Sequence, residues 1–368
     1  MSGAPATGHP TAERLSALRA SVPQGAVALI GDLVDVRWLT GLQTSNALVA
    51  VTADAAWLIT DFRYRTAARE VLVDGLELEI VADLVGRAAE LANEHGASQV
   101  LLAKDRTTLA DDAKLAGILN DGIERVAGTR LVEPLRAVKT AAEIEAIAAA
   151  QALADEAFTE VILERGIIGR TERQVALDLE FAMRRRGAEA ISFEPIIAAG
   201  AHGALPHADP RDVVIPRDEL VVIDWGAQLD GYCSDCTRTV ATGELDDRRR
   251  EVHEIVQRAQ DVALEAIAPG ADGKAVDALS RALIDDAGFG DFFGHGLGHG
   301  VGLEVHETPT LSPRSVATLK EGNIVTVEPG IYLPDEFGVR VEELVAVTGD
   351  GIRILTSLPR GPVVVGSY

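Results

Sequence analysis

Cysteine is almost absent: the 368 residues contain two, Cys233 and Cys236. A disulfide framework is therefore excluded, and a reducing compartment fits. Aromatics are only 4% of the chain, so alanine, valine and leucine must fill whatever core forms. No run of about 18 apolar residues occurs, so no transmembrane helix is expected. The opening stretch MSGAPATGHPTAERLSALRA lacks a basic segment followed by an apolar one, so no secretory signal is expected there. Basic residues are also scarce, 34 against 57 acidic ones, a formal charge of −23. Such a surface repels phosphate backbones and anionic lipid, which argues against nucleic acid and membranes as partners. A cytoplasmic protein is the expectation.

What is present is ample apolar material, 47% of the residues, in a chain long enough for two domains of about 100–200 residues each. The first part alternates between helix-like and strand-like stretches. Ala12–Ala20 is helical, and Ala26–Ile30, Ala47–Thr52 and Ala55–Thr60 read as strands. Tyr64–Leu72 and Leu84–His95 read as helices, and Val100–Ala103 as a further strand. This pattern predicts a small α/β domain over residues 1–137. Pro134 breaks the pattern, and Thr140 with Glu143 then forms a capping-box signature for a long helix reaching about Arg165. Residues 138–368 repeat one order of elements twice: long helix, Gly turn, second helix (Thr171–Gly187, then Asp272–Gly288), strands. The chain is thus expected to be α+β overall, its second domain built from two similar halves.

Two hairpins carry the chemistry. Leu220–Ala227 and Tyr232–Val240 flank the turn Leu229-Asp230-Gly231. A turn centred on Leu229/Asp230 sets Asp224 opposite Asp235, with Cβ atoms ~5 Å apart. Ile324–Leu333 and Gly338–Val347 flank Pro334-Asp335-Glu336 and set Glu328 opposite Glu342, with Arg340 on the same face as Glu342. Like charges facing each other on an apolar sheet are destabilising unless a proton or a cation lies between them. A single strand aspartate reads as an edge or turn residue; two facing pairs in one domain read as a cation site. The segment FFGHGLGHGVGLEVHETP adds His295, His299 and His306, with glycines that exclude a regular helix. Singly, His295 and His306 read more readily as structural histidines. Four carboxylates and one imidazole form an oxygen-rich set that suits manganese, cobalt or iron better than structural zinc. Two ions ~3.5–4 Å apart would need bridging carboxylates. The Cys233-Ser-Asp-Cys236 spacing invites a zinc or redox reading, but strand residues three apart face opposite ways, so both cysteines read as packing. Gly290–Gly302 does not join a strand to a helix and is no dinucleotide loop.

Asp224, Asp235, His299, Glu328 and Glu342, in that order, resemble the ligand set of the pita-bread metallopeptidases: methionine aminopeptidase, aminopeptidase P and prolidase. The words VVIDWGAQLDGYCSDCTRT, GHGLGHGVGLEVHETP, VTVEPGIY and GVRVEELVAV carry the likeness over most of 138–368. The segment RWLTGLQTSNALVAV with LITDFRYRTAA resembles the creatinase-type N-terminal domain, with Phe62 where a TDGRY form has glycine. The resemblance implies two divalent metal ions, manganese foremost and cobalt, iron or zinc as alternatives. By it, Asp224 chelates one ion and His299 completes the other, with Glu328 beside it, while Asp235 and Glu342 bridge. It places His207, His295, His306, Glu328 and Arg340 in the catalytic apparatus. Glu328 would take a proton from the attacking water, His207 or His306 would stabilise the oxyanion, and Arg340 would hold Asp224 or a neighbouring carboxylate.

The implied activity is removal of the N-terminal residue preceding proline, as in an Xaa-Pro aminopeptidase acting as a homodimer on peptides with proline second. An Xaa-Pro dipeptidase is the alternative, with methionine aminopeptidase or a metal-free binding relative further off. Asp235→Ala is expected to abolish metal binding and hydrolysis together, since one of two bridges goes. Manganese-dependent turnover retained in that variant, measured on an Xaa-Pro peptide, would refute the ligand set.

Overall fold

Long unbroken apolar strands need cover on both faces, and the N-terminal part of the chain provides it. A computed structural model describes residues 9–128 and 130–367. The chain divides into two compact units, Met1–Arg136 and Ala137–Tyr368. The first unit runs α1 (Thr11–Ser21), β1 (Ala26–Ile30), α2 (Leu33–Thr40), β2 (Ala47–Val51), β3 (Ala56–Thr60), α3 (Arg65–Glu70), β4 (Glu77–Ile80), α4 (Leu84–Glu94), β5 (Gln99–Leu102), α5 (Leu109–Ile118), β6 (Glu124–Ala127) and α6 (Glu133–Arg136). Its strands form one mixed sheet in the order β4-β3-β2-β1-β5-β6. Every residue of β1, β2 and β3 is buried. The edge strands β4 and β6 carry exposed Glu77 and Glu124, which dilutes the apolar pattern and hides them from a sequence reading.

The second unit holds the acidic hairpins. Its first half consists of α7 (Ala141–Phe158), α8 (Glu172–Arg185), β7 (Ala190–Ile191), β8 (Ile196–Ala199), β9 (Leu220–Trp225), β10 (Ala227–Leu229), β11 (Tyr232–Cys233) and β12 (Cys236–Ala241). Its second half consists of α9 (Asp247–Ala266), α10 (Gly273–Asp286), β13 (Gly298–Gly300), β14 (Glu307–Leu311), β15 (Ile324–Val327), β16 (Gly330–Leu333), β17 (Phe337–Arg340), β18 (Glu343–Thr348) and β19 (Gly351–Ile354). Both halves therefore run helix, helix, strands. The fold is α+β in two domains. No helix among the described residues is long and apolar enough to cross a membrane.

The local chemistry accounts for these elements. Thr140 and Glu143 close a capping box on α7, and Thr171 and Gln174 close one on α8. Asp246 and Asp272 cap α9 and α10 by accepting from Arg249 N and Ala275 N. The helix expected to reach Arg165 is α-helical only to Phe158 and then widens into a π turn over Thr159–Glu164. Trp225, fully buried at the end of β9, stacks on Phe158 at 4.2 Å and donates its indole N–H to Ala154 O. That locks the strand bearing Asp224 onto α7; truncating a tryptophan so placed costs about 3–5 kcal/mol.

The hairpin strands are each broken in the middle. β9 and β10 part at Gly226, β15 and β16 at Glu328-Pro329, and β17 and β18 at Val341-Glu342. An interrupted ladder leaves backbone groups to satisfy. Gln260, fully buried on α9, donates to both Val327 O and Val341 O, the carbonyls just before Glu328 and Glu342. Gln151, equally buried on α7, accepts from Asp235 N at 3.3 Å. The two glutamines hold matching places in the halves: Ala150-Gln151 precedes Glu156-Ala157 as Ala259-Gln260 precedes Glu265-Ala266. One glutamine per half thus braces an acid-bearing break.

The core holds a buried histidine. His253 on α9 is 1% exposed, and neither ring nitrogen has a hydrogen-bond partner among the described residues. Burial lowers its pKa from 6.5 to about 4, so the folded chain holds the ring neutral. Below pH 6.5 the unfolded chain binds a proton that the folded one refuses. This stability is therefore complete above pH 6.5 and is lost as pH falls toward 4, by about 3 kcal/mol. His253→Phe should flatten the fall of the urea midpoint between pH 7 and pH 4.5 relative to the wild type. An unchanged pH profile would contradict a buried neutral ring.

Candidate active site

Beside the strand breaks, Asp224, Asp235 and Glu328 line a cavity of about 470 Å³ in the second unit. Its lining includes Asp224, Asp235, His299 and Glu328 together with His207, His295, His306 and Arg340. Asp224, Asp235 and Glu342 each offer an oxygen within 4.8 Å of one another. Asp235 and Glu342 are buried and Asp224 is half-buried.

The register of the first hairpin differs from the sequence expectation. The turn is the two-residue Asp230-Gly231, both with positive φ (51° and 87°), as the primed hairpin turn requires. Leu229 therefore pairs with Tyr232, and between β9 and β12 Asp224 pairs with Thr237 rather than with Asp235. Asp235 lies in the gap between β11 and β12. The displacement is two residues, an even step, so it keeps each side chain on its face. The carboxylates still converge. In the second hairpin Val327 pairs with Glu343 and Gly330 with Arg340, which brackets Glu328 and Glu342 in the expected register.

His299 comes from β13. Its Nδ1 lies 3.1 Å from Gly300 O, which assigns the proton there and turns Nε2 toward the acids. That Nε2 is 3.2 Å from Glu328 Oε1 and 3.6 Å from Asp235 Oδ2. The Thr326 hydroxyl donates to Glu328 and accepts from His299 N, fixing the two relative to each other. Gly298 is obligatory in this strand, because a Cβ would meet Thr326 O at 2.0 Å.

Arg340, buried at 3% exposure, distributes its guanidinium over the floor. It donates to Asp224 Oδ2 at 2.6 Å, Thr237 Oγ1 at 2.9 Å, Tyr332 Oη at 2.9 Å and Pro206 O at 3.2 Å. Thr237 in turn donates to Glu342 Oε2 at 2.8 Å. Tyr332 Oη lies 2.9 Å from His295 Nε2, and His295 Nδ1 lies 2.7 Å from Gly296 O. With the His295 proton on Nδ1, the tyrosine donates to Nε2, and a relay runs from Asp224 through Arg340 and Tyr332 to His295. Both ring nitrogens of His295 are thereby engaged. His306 stands exposed in the cavity with its ring 4.3 Å from that of His299, and His207 is exposed beside Pro206.

Tyr332, Thr237, Thr326 and Gln151 were not singled out from the sequence as site residues. The signal lay in the quoted words: Tyr332 ends VTVEPGIY, and Thr237 follows the cysteine pair. Both lie close to residues already picked: Thr237 is two positions from Asp235, which on a strand means the same face. The cysteines are buried free thiols.

The electrostatics call for a cation. Burial, reinforced by Glu342, Asp224 and Glu328, raises the Asp235 carboxyl well above its usual range. Burial and the charges of Glu328 and Asp224 do the same to Glu342. Burial also raises Asp224, against the pull of Arg340. Glu328 behaves differently: burial opposes its charge, but the bond and charge of His299 outweigh that and hold it below the usual carboxylate range. Asp224 Oδ1 and Glu342 Oε1 are buried oxygens with no hydrogen-bond partner among the described residues. Unpartnered buried carboxylate oxygens facing two neighbouring acids suit a hard divalent ion.

Known proteins show the same arrangement of domains. Metallopeptidase family M24 matches residues 145–349, and the creatinase/prolidase N-terminal domain matches residues 16–138. The chain belongs to metallopeptidase family M24, and it is a peptidase of the kind that works with divalent metal. An uncharacterized peptidase of Bacillus subtilis, YqhT, is 40% identical over 92% of this chain and 95% of its own length. An Xaa-Pro dipeptidase of Pyrococcus furiosus is 45% identical over 62% of this chain and 66% of its own. The solved Xaa-Pro dipeptidase from Bacillus anthracis superposes with a TM-score of 0.91 at 35% identity, covering 96% of this chain and 99% of that one.

Ion binding should be visible without catalysis. A chelator is expected to lower the thermal midpoint by several degrees and manganese to restore it, as binding only to the folded state demands. The double variant Asp224→Asn, Glu342→Gln should respond to neither. A manganese-dependent midpoint in that variant would mean the ion sits elsewhere.

Proposed function

We propose that this chain is an Xaa-Pro dipeptidase, a prolidase, which splits a dipeptide before its proline. The observation that carries its metal-dependent hydrolysis is the convergence of Asp224, Asp235 and Glu342, the first and last each with an unpartnered oxygen, at the cavity that His299 and Glu328 line. The family resemblance puts an Xaa-Pro aminopeptidase first, with no residue deciding between the two; the relatives named above, two of them Xaa-Pro dipeptidases, move the reading to dipeptides.

Asp224, Asp235, His299, Glu328 and Glu342 would hold two divalent cations, and manganese suits a donor set dominated by carboxylate oxygen. When bound, the pair supplies Lewis acidity to the scissile carbonyl and the attacking water. Glu328, kept ionised by His299, takes the proton of that water. His306 and His207, exposed in the cavity, donate to the oxygen on which negative charge develops. His295 makes no such donation in this reading: it orients Tyr332, and through it Arg340 and Asp224. The acidic floor attracts the free α-amine of the substrate, which confines attack to the first peptide bond. Phe193, Pro195 and Val305 line the same cavity and offer an apolar wall to the proline ring. Proline presents no amide N–H, so the site need supply no acceptor for one.

Substrate length separates the two activities. The manganese-loaded enzyme is expected to have a kcat/KM at least about tenfold higher for Ala-Pro than for Ala-Pro-Ala, a difference of about 1.4 kcal/mol in transition-state binding. The reverse order would make it an Xaa-Pro aminopeptidase, and cleavage of Met-Ala-Ser without Xaa-Pro cleavage would remove the proline reading altogether.

A further inference from the structure

His306 has little support of its own beyond the ring of His299. It sits on the segment between β13 and β14, exposed, without the bracing that His295 and His299 receive from strands and tyrosine. The residue after it is different. Glu307 has a side chain 5% exposed, and its Oε2 lies 2.9 Å from Nζ of Lys139, whose side chain is 2% exposed. The other oxygen, Oε1, accepts from Glu304 N at 3.1 Å, closing the loop on itself. Gly302 provides the room: a Cβ there would lie 2.5 Å from both Glu307 oxygens. Lys139 is itself fixed, since its backbone N–H donates to Gly322 O at 2.8 Å.

A charge pair this deeply buried is weak evidence for stability, because desolvating two ions offsets most of their attraction. Its distinct effect is geometric. It ties a loop 168 positions away to the segment that enters α7, and it does so at the residue bonded to His306. We propose that Lys139, through Glu307, is a positioning residue that fixes His306 over the reacting carbonyl. This rests on the reading above that His306 contacts the substrate. Lys139 itself lies outside the cavity lining.

The test is a mutant cycle on the full, manganese-loaded chain with Ala-Pro as substrate. Its members are the wild type, K139M/E307Q, H306A and the triple variant. K139M/E307Q removes both charges of this pair together. It should retain its metal content and thermal midpoint while kcat falls about 10- to 100-fold, the scale set by a misplacement of about an ångström. The triple variant should be no slower than H306A. If K139M/E307Q keeps the wild-type kcat, or slows the H306A enzyme as much as it slows the wild type, the proposal is overturned while the dipeptidase reading stands. If H306A itself retains the wild-type rate, the role given to His306 falls, and the proposal with it. Should the double variant not fold, E307Q, which keeps an acceptor for Glu304 N–H, takes its place in the cycle. A loss of kcat that vanishes in the H306A background then supports the proposal, and a wild-type kcat or an undiminished loss overturns it.

Discussion

Repulsion among buried carboxylates is the constraint on which the catalytic unit depends. Asp224, Asp235 and Glu342 bring oxygens within 4.8 Å of one another in a site where burial already penalises each charge. Left alone, such a cluster would protonate or push its strands apart. Arg340 answers part of it, placed under Asp224 and linked through Thr237 to Glu342. His299 answers another part, beside Glu328. Two oxygens of this cluster, Asp224 Oδ1 and Glu342 Oε1, stay without partners among the described residues, and they define what the protein alone does not neutralise.

The same constraint explains why the sheets are discontinuous. A regular strand directs alternate side chains to opposite faces and spaces its neighbours evenly. Four acids cannot be brought to one point on such a surface. Breaks at Gly226, at Glu328-Pro329 and at Val341-Glu342, and the gap holding Asp235, let each hairpin bend. Gln151 and Gln260 then take up backbone groups that the ladder no longer serves. A glutamine suits the task because its amide both donates and accepts.

Much of this was legible in the sequence, for physical reasons. The strands β1, β2 and β3 are unbroken apolar runs, and the caps at Thr140 and Thr171 carry their own signature, so those elements declare themselves. Glu328 and Glu342 could be paired by counting from the turn, because the register holds on both sides of their break. Asp224 and Asp235 could not, because the turn is two residues long and β10 and β11 intervene. Parity survived where register did not. The π turn after Phe158, the edge strands β4 and β6, and the roles of Tyr332 and Thr237 were hidden, since each depends on what packs against it. The repeated Ala-Gln…Glu-Ala spacing on α7 and α9 was visible from the outset, but carried no meaning until the glutamines were seen at the breaks.

That repeat bears on how the molecule assembles. Each half owns one helix-borne amide and one acidic hairpin, yet Glu342 joins Asp224 and Asp235 only where the two hairpins come together. Neither half on its own can offer a cation more than a fraction of its coordination. An ion held by this cluster would thus report completed folding, since both hairpins must dock before its three carboxylates converge.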